Sequence, residues 1–519
     1  MISFRPRVES LEERALPSVD VLTYHYDQAR TGWDAHETIL TPANVHEGSF
    51  GKLFTLRVDG KVDAQPLYLA GLNIPGQGVH NVVFVATEND SVYAFDADHA
   101  GPPLWHVRLL GPGEVPSDDR GCSQITPEIG ITATPVIDPN TGMLYVVAMS
   151  KLVANGTPTY IQRVHALDVT TGADALAPVV VHASFPGTGP DSQNGQVTFD
   201  PAQYAERSSL LLVNGVLYTQ WTSHCDDGAY NGWIIGYDAA TLQQVSVLNT
   251  TPNGVQGAFW NSGAGPAADA AGNIYELEGN GTFDTNLAHG FPAQGDFANS
   301  FLKLDPTGGL HVAAYFAPHN VAAENAADQD LGSGGIVLLP DMLDARGRIV
   351  HLAVAAGKDG NLYVLRRDNP GGFHASGDRI YQELPGALKG GEWATAAYFR
   401  GAVYYGPVGN HLLRFVFVHG RLVSTPISQS PETFGYPGAS PSISSNGRTN
   451  GIVWATENTH SAVLHAYLAT DLSHELYNSN QAPHGRDHFG VGNKFITPMV
   501  ADGHVYVATT NGVGVFGLL

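Results

Sequence analysis

One pattern recurs from residue 53 to the C-terminus, and it restricts the possible folds more than any other feature of the chain. Each copy opens on small residues or proline, turns on Asp, Asn or Gly, and continues as two runs alternating apolar and polar positions. The most legible copy is Asn81-VVFVATENDSVYAFDADHAGPPLWHVRL. Its runs VVFVA and VYAF are joined by Glu88-Asn89-Asp90-Ser91, a turn between β-rich segments that reads as a hairpin. Aligning on Asp96 of VYAFD gives seven further equivalents: Asp168, Asp238, Asp305, Arg366, Val416, Leu468 and Gly517. The intervals between them shorten from 72 residues to 49. Strands at a drifting period, without helical periodicity, predict propeller blades carrying loop insertions. Composition agrees: 60 Gly and 32 Pro with only 14% charged residues suit a turn-rich all-β chain.

The inner strands are expected to begin at Ala64-Gln65-Pro66, Thr134-Pro135, Gly265-Pro266, Gly334-Gly335, Ser440-Pro441 and Thr497-Pro498. Small residues there suit strands crowded round an axis. The last copy, KFITPMVADGHVYVATTNGVGVFGLL, supplies only three strands. The surplus segment 51–59 can supply the missing outer one, and such closure removes exposed sheet edges. The prediction is an eight-bladed β-propeller closed by an N-terminal outer strand, forming one domain over 20–519. Residues 1–19 are set aside as a leader or disordered tail.

The net charge of −23 argues against nucleic acid as a partner, because phosphate binding needs basic stripes. No apolar run approaches the ~18 residues of a membrane span. The two cysteines, Cys122 and Cys225, form no C-x-x-C, so they are either one loop-to-loop disulfide or two separate thiols. The tract Arg5-Pro6-Arg7 followed by Leu11-Glu12-Glu13-Arg14 and Pro17-Ser18 resembles the LE-x-R leader of many large planctomycete proteins thought to be exported. That resemblance implies an extracellular or periplasmic location.

The phrase Asp168-Val169-Thr170-Thr171-Gly172, together with AFD…LW from Ala94 to Trp105, resembles the repeat of pyrroloquinoline quinone (PQQ) enzymes. That family includes eight-bladed quinoprotein alcohol dehydrogenases and PQQ-like propellers without cofactor. The stretch from Leu22, LTYHYDQARTGWDAHETILTPANV, is similar to the N-terminal lead-in of the dehydrogenases. Glu278-Gly279-Asn280-Gly281-Thr282 resembles the segment supplying an asparagine calcium ligand, which implies Asn280 as metal and cofactor ligand. Asp328-Gln329-Asp330 resembles the segment of the catalytic aspartate, which implies Asp330 as the base. Gly357-Lys358-Asp359-Gly360-NLYVL resembles the segment whose lysine contacts the quinone oxygens, which implies Lys358 as the electrophilic partner. A carboxylate suits the base role because burial raises its pKa toward neutrality.

Three family features are missing. Cys122 is followed by Ser123 rather than a second cysteine, MSKLVANGTPTYIQRVHALD lacks the usual glutamate ligand, and no C-x-x-C-H is present. The first expectation is therefore an exported, monomeric PQQ-like propeller that binds a small-molecule or protein ligand at its mouth, as a binding or scaffold module without a functional quinone site. The alternative is a divergent alcohol or sugar dehydrogenase using Ca²⁺ and PQQ. A third is another propeller enzyme, a hydrolase or lyase.

The loops leading into the innermost strands are expected to converge at the mouth. Glu128, in GCSQITPEIG, is either a ligand-facing carboxylate or a turn cap. Glu128, Asn280, Asp330 and Lys358 are expected round one axial space, with a simple Asp330–Lys358 neutralising pair as the competing reading. Ser223-His224-Cys225-Asp226 reads as a metal cluster or a polar turn, the loop His484-Gly485-Arg486-Asp487-His488 as polar, and Trp260 as inter-blade packing or a stacking platform.

Overall fold

Alternating apolar positions fold each repeat into one antiparallel sheet, and the eight sheets together make the propeller. The computed structural model describes residues 20–519; the leader expected at 1–19 lies outside them. Blade 1 runs Leu67–Ile74, Gly78–Ala86, Ser91–Asp96 and Trp105–Arg108 from axis to rim. Blade 8 is Met499–Ala501, His504–Ala508 and Gly512–Leu518, completed by Phe50–Arg57. Pairing of that closing strand runs antiparallel from Phe50↔Leu518 to Arg57↔Gly512.

All eight aligned positions lie at or near the end of a third strand, including Asp96, Asp168, Asp238 and Asp305. The reason Asp is used there is local. Its carboxylate accepts the backbone N–H two residues on, at 2.8 Å for Asp96, 2.7 Å for Asp168, 3.1 Å for Asp238 and 2.7 Å for Asp305, and so closes the turn toward the rim. The longer early intervals are insertions, among them the hairpin Ser184–Pro186 with Gln196–Thr198. Crowding at the axis explains the small residues: a Cβ on Gly334 would lie 2.0 Å from the Ala356 carbonyl oxygen.

The loop carrying Arg486 and Asp487 clamps the closing strand. Asp487 accepts the Lys52 N–H at 3.0 Å and the Tyr477 hydroxyl at 2.7 Å, while Arg486 donates to the Phe50 carbonyl at 3.2 Å.

Residues 21–32 form a plug that bonds to the innermost strand of every blade. Val21 exchanges backbone bonds with Tyr68 in blade 1, and Leu22 accepts from Ile137 in blade 2 at 2.8 Å. The Gln28 amide donates to Leu212 of blade 3 at 2.8 Å. The carbonyls of Gln28, Ala29, Thr31 and Gly32 accept from Ala268, Leu338, Tyr398 and Ile443 in blades 4 to 7, at 2.7–2.9 Å. The Tyr26 hydroxyl accepts from Val500 of blade 8 at 2.8 Å. Innermost strands expose an unpaired edge to the axis, and the plug satisfies it. Buried Arg30 anchors this segment, donating to Thr23 Oγ1, the Tyr24 carbonyl, the Pro266 carbonyl and the Leu210 carbonyl at 2.7–3.3 Å.

Blades 6 and 7 meet at an ionic seam. His465 is buried between Glu475, 2.7 Å from Nδ1, and Glu457, 2.8 Å from Nε2, and Tyr467 donates to Glu432 at 2.8 Å. Burial alone would lower the imidazole, but its bonds to Glu457 and Glu475 outweigh that and raise it to about 9. A pKa raised on folding contributes stability in full below the ordinary histidine value and loses it as pH rises through about 9. The contribution is on the order of 3 kcal/mol. Urea titrations at about pH 6, 8 and 10 should show the stability gap between the natural chain and His465→Gln narrowing at the alkaline end. A gap that does not change with pH contradicts a charged His465.

Candidate functional site

The plug engages the innermost strands themselves, whereas the loops leading into those strands surround a cavity of about 310 Å³ on the axis. Phe495 stands between the two, facing this cavity on one side and the small space beside Tyr24 on the other.

Two matching turns build one wall. Trp260 precedes the turn Asn261–Gly263 and Asp330 precedes Leu331–Ser333, and the turns are joined by Ser262 Oγ donating to the Ser333 carbonyl at 2.6 Å. Lys358 follows the second strand of blade 5, Leu352–Ala356, and its N–H donates to the Asp330 carbonyl at 3.0 Å. Gly357 permits that approach, since a Cβ there would lie 2.3 Å from the same carbonyl oxygen.

Side chains then converge. The Trp260 indole N–H donates to Asp330 Oδ2 at 3.2 Å. Lys358 Nζ lies 2.8 Å from Asp330 Oδ1 and 2.6 Å from Asp328 Oδ1, and 5.3 Å from the Trp260 ring centroid. The Asn280 amide donates to Asp328, and its own Oδ1 is buried without a partner. Burial pushes the Asp330 carboxyl up, partly offset by the Lys358 ammonium. Burial pulls Lys358 down, but Asp330 and Asp328 outweigh it and hold the ammonium above its ordinary range.

Cys122 and Cys225 form a disulfide, Cα–Cα 5.6 Å, and both line the cavity. The bridge ties the loop before blade 2 to the end of the second strand of blade 3. His224 beside it is drawn down to about 4 by burial and then by Arg120, whose Nη1 lies 2.6 Å from Nε2.

A second group of cavity residues is cationic. The Arg207 guanidinium lies 4.7 Å, and the Lys494 ammonium 5.8 Å, from the Phe495 ring centroid. Among the described residues neither head group makes a hydrogen bond or a close ion pair. Burial lowers Lys494, Arg207 and Lys61 add to the effect, and the more distant Asp63 carboxylate opposes it. Trp260, Phe495, Tyr436 and Trp393 continue as a chain of edge-to-face rings at 6.1–6.4 Å.

Of the residues singled out in the sequence, Asn280, Asp330 and Lys358 lie together here, and Trp260 faces the cavity rather than only packing blades. Glu128 is not among the lining residues. Its neighbours Ile125 and Ile129 face the cavity, while the Glu128 carboxyl is raised by partial burial and then by Asp59, with Arg108 opposing. Ser223 to Asp226 form cavity wall, and the His484–His488 loop serves the ring closure instead. Arg207, Trp393, Tyr436 and Lys494 were missed. Their signal was positional: each sits a few residues ahead of an innermost strand, as Asp330 does.

No protein-family model matches the chain, and no curated protein matches it. Solved structures do resemble it. The quinohemoprotein alcohol dehydrogenase of Comamonas testosteroni is 16% identical, with TM-score 0.60 over 96% of this chain and 80% of that one. A europium-containing methanol dehydrogenase is 12% identical, with TM-score 0.61 over 95% and 90%. BamB from Moraxella catarrhalis is 14% identical, with TM-score 0.50 over 90% and 97%. At these identities the likeness establishes the fold, a PQQ-like propeller, and nothing finer.

Proposed function

We propose that the protein is an exported ligand-binding propeller whose axial cavity takes a small conjugated ring bearing carboxylate groups. One observation carries this reading: two cations that make no hydrogen bond or close ion pair among the described residues, Arg207 and Lys494, face an aromatic-lined cavity in a chain of net charge −23. Carboxylates satisfy such cations, and Trp260, Trp393 and Phe495 offer ring faces and edges. The Cys122–Cys225 bridge supports export, since disulfides persist in oxidising compartments.

PQQ belongs to this ligand class, and the cavity's volume and basic residues fit it. Arg207 and Lys494 would hold its carboxylates, with Trp260 and the disulfide as walls. The calcium ion of the dehydrogenases does not fit. A calcium site needs about six to eight oxygen ligands. Here the Lys358 ammonium already occupies the position between Asp328 and Asp330, leaving Asn280 Oδ1 as the unpartnered donor of the group.

A dehydrogenase remains the second reading, favoured by the buried Asp330 carboxyl beside Lys358 and Trp260. One titration separates the two. PQQ, followed by absorbance, is expected to bind equally with calcium or with a chelator present, without reducing dyes when alcohols or sugars are added. Arg207→Ala should weaken binding about tenfold, the loss of one charged hydrogen-bonding group. Failure of PQQ and of simpler aromatic tricarboxylates to bind would sink the proposal, while chelator-sensitive dye reduction would install the dehydrogenase.

A further inference from the structure

Outside the axial cavity, arginines gather in a groove where blades 5 and 6 adjoin. The groove, of about 700 Å³, is bounded by three loops. One is the turn between the short strands Met342–Leu343 and Ile349–Val350, which carries Arg346 and Arg348. Another follows the blade 5 strand Leu362–Arg366 and carries Arg379 and Tyr381. The third is the blade 6 turn between Asn410–Val418 and Arg421–Leu422. Arg346, Arg348, Arg366, Arg379 and Arg421 line this groove, five of the 26 Lys and Arg residues in a chain of net charge −23.

Apart from Arg348, the arginines do not neutralise carboxylates. Asp344 is the one acidic residue of the lining, and its carboxylate is already filled by Arg348 at 2.7 Å and by the N–H groups of Arg346 and Arg348 at 2.8 and 2.9 Å. Among the described residues, the guanidinium groups of Arg346, Arg366, Arg379 and Arg421 have no hydrogen-bond or carboxylate partner. Tyr381 collects two of them from different blades, with Arg366 4.8 Å and Arg421 5.0 Å from its ring centroid. Like charges gathered in water repel one another, and a multiply charged anion relieves the repulsion.

The chemistry of the ligand follows. Guanidinium forks match the geometry of phosphate, sulfate and carboxylate, and Asn369, His374 and Tyr381 add N–H and O–H donors. The space is many times the ~30 Å³ share of a water molecule, so it suits several oxyanion groups on one scaffold. A long phosphate backbone would leave the groove and run onto an acidic protein, which favours a compact ligand. We propose that this groove is a binding site for a small polyanion carrying several sulfate or phosphate esters, separate from the axial cavity and independent of its occupant.

The full chain is tested with four probes: a heparin-derived hexasaccharide, inositol hexakisphosphate, maltohexaose and a short single-stranded oligonucleotide. One or both of the first two should bind at about 50 mM salt and weaken at least about tenfold by about 200 mM, as counterion release requires. Binding by the hexasaccharide alone identifies a sulfated sugar as the source, and by the inositol phosphate alone a phosphate ester. Arg366→Ala with Arg421→Ala should weaken binding at least about tenfold. Arg346→Glu, on an exposed hairpin and not one of the two arginines stacked on Tyr381, should do the same without touching those aromatic contacts. Arg448→Ala, outside the groove, should change nothing, and PQQ titration should be unaffected in every variant. The proposal fails if neither polyanion binds, if binding survives both groove variants, or if maltohexaose or the oligonucleotide binds as tightly.

Discussion

A chain beginning after residue 60 is expected to aggregate rather than merely lose stability. The truncation removes two things at once. Without Phe50–Arg57, blade 8 loses its rim strand, and Gly512–Leu518 becomes a bare edge. That edge displays Val513, Val515 and Phe516, all fully buried in the intact chain. A flat, apolar edge of this kind pairs with other chains. Without residues 21–32, the innermost strands of all eight blades lose their axial partner. Removing only residues 20–36 should give an intermediate result, a closed ring of lower stability. Light scattering after gel filtration, with a thermal melt, distinguishes the cases. A monomer with an unchanged transition after the longer deletion would show that neither closure nor plug matters.

Arg30→Ala should produce the largest loss of stability of any single substitution in the plug, on the order of 3–5 kcal/mol. The side chain is fully buried, and burial draws its guanidinium down to about 10, still charged at neutral pH. Its removal leaves four acceptors, Thr23 Oγ1 and the carbonyls of Tyr24, Leu210 and Pro266, without that donor inside the protein. Arg30→Lys keeps the charge but cannot span acceptors that lie in different directions, so it should recover only part of the loss. Urea denaturation measures both, with the midpoint expected to fall and the slope to stay constant. A loss below about 1 kcal/mol would mean that the Arg30 contacts do not hold the plug.

The plug shows how a segment can be recognised without its role being visible. LTYHYDQARTGW stood out by resemblance, yet nothing in it alternates like a strand or announces bonds to eight sheets. Its backbone adopts the left-handed region at His25, Tyr26 and Arg30, a conformation that the surrounding ring imposes. The His484–His488 loop is the converse case. It reads only as a polar loop, and its Arg486 and Asp487 hold the closing strand.

What the amino-acid order determined by itself was the repeat and its consequences. Alternation, turn chemistry and interval are properties of neighbouring residues, so the third strands, the number of blades and the completion of the last blade by a strand expected at 51–59 and found at Phe50–Arg57 could all be read along the chain. Asp168 caps its own turn, and no distant residue is needed to explain it. The sites were decided otherwise. Whether Cys122 meets Cys225, whether Asn280, Asp330 and Lys358 share one space that Glu128 does not, and whether Arg207 and Lys494 face it unpaired all depend on the angles between blades. The same holds for Arg366 and Arg421, which meet on Tyr381 from adjacent blades. Those angles are set by packing between whole sheets, a sum of many apolar contacts that no local motif encodes.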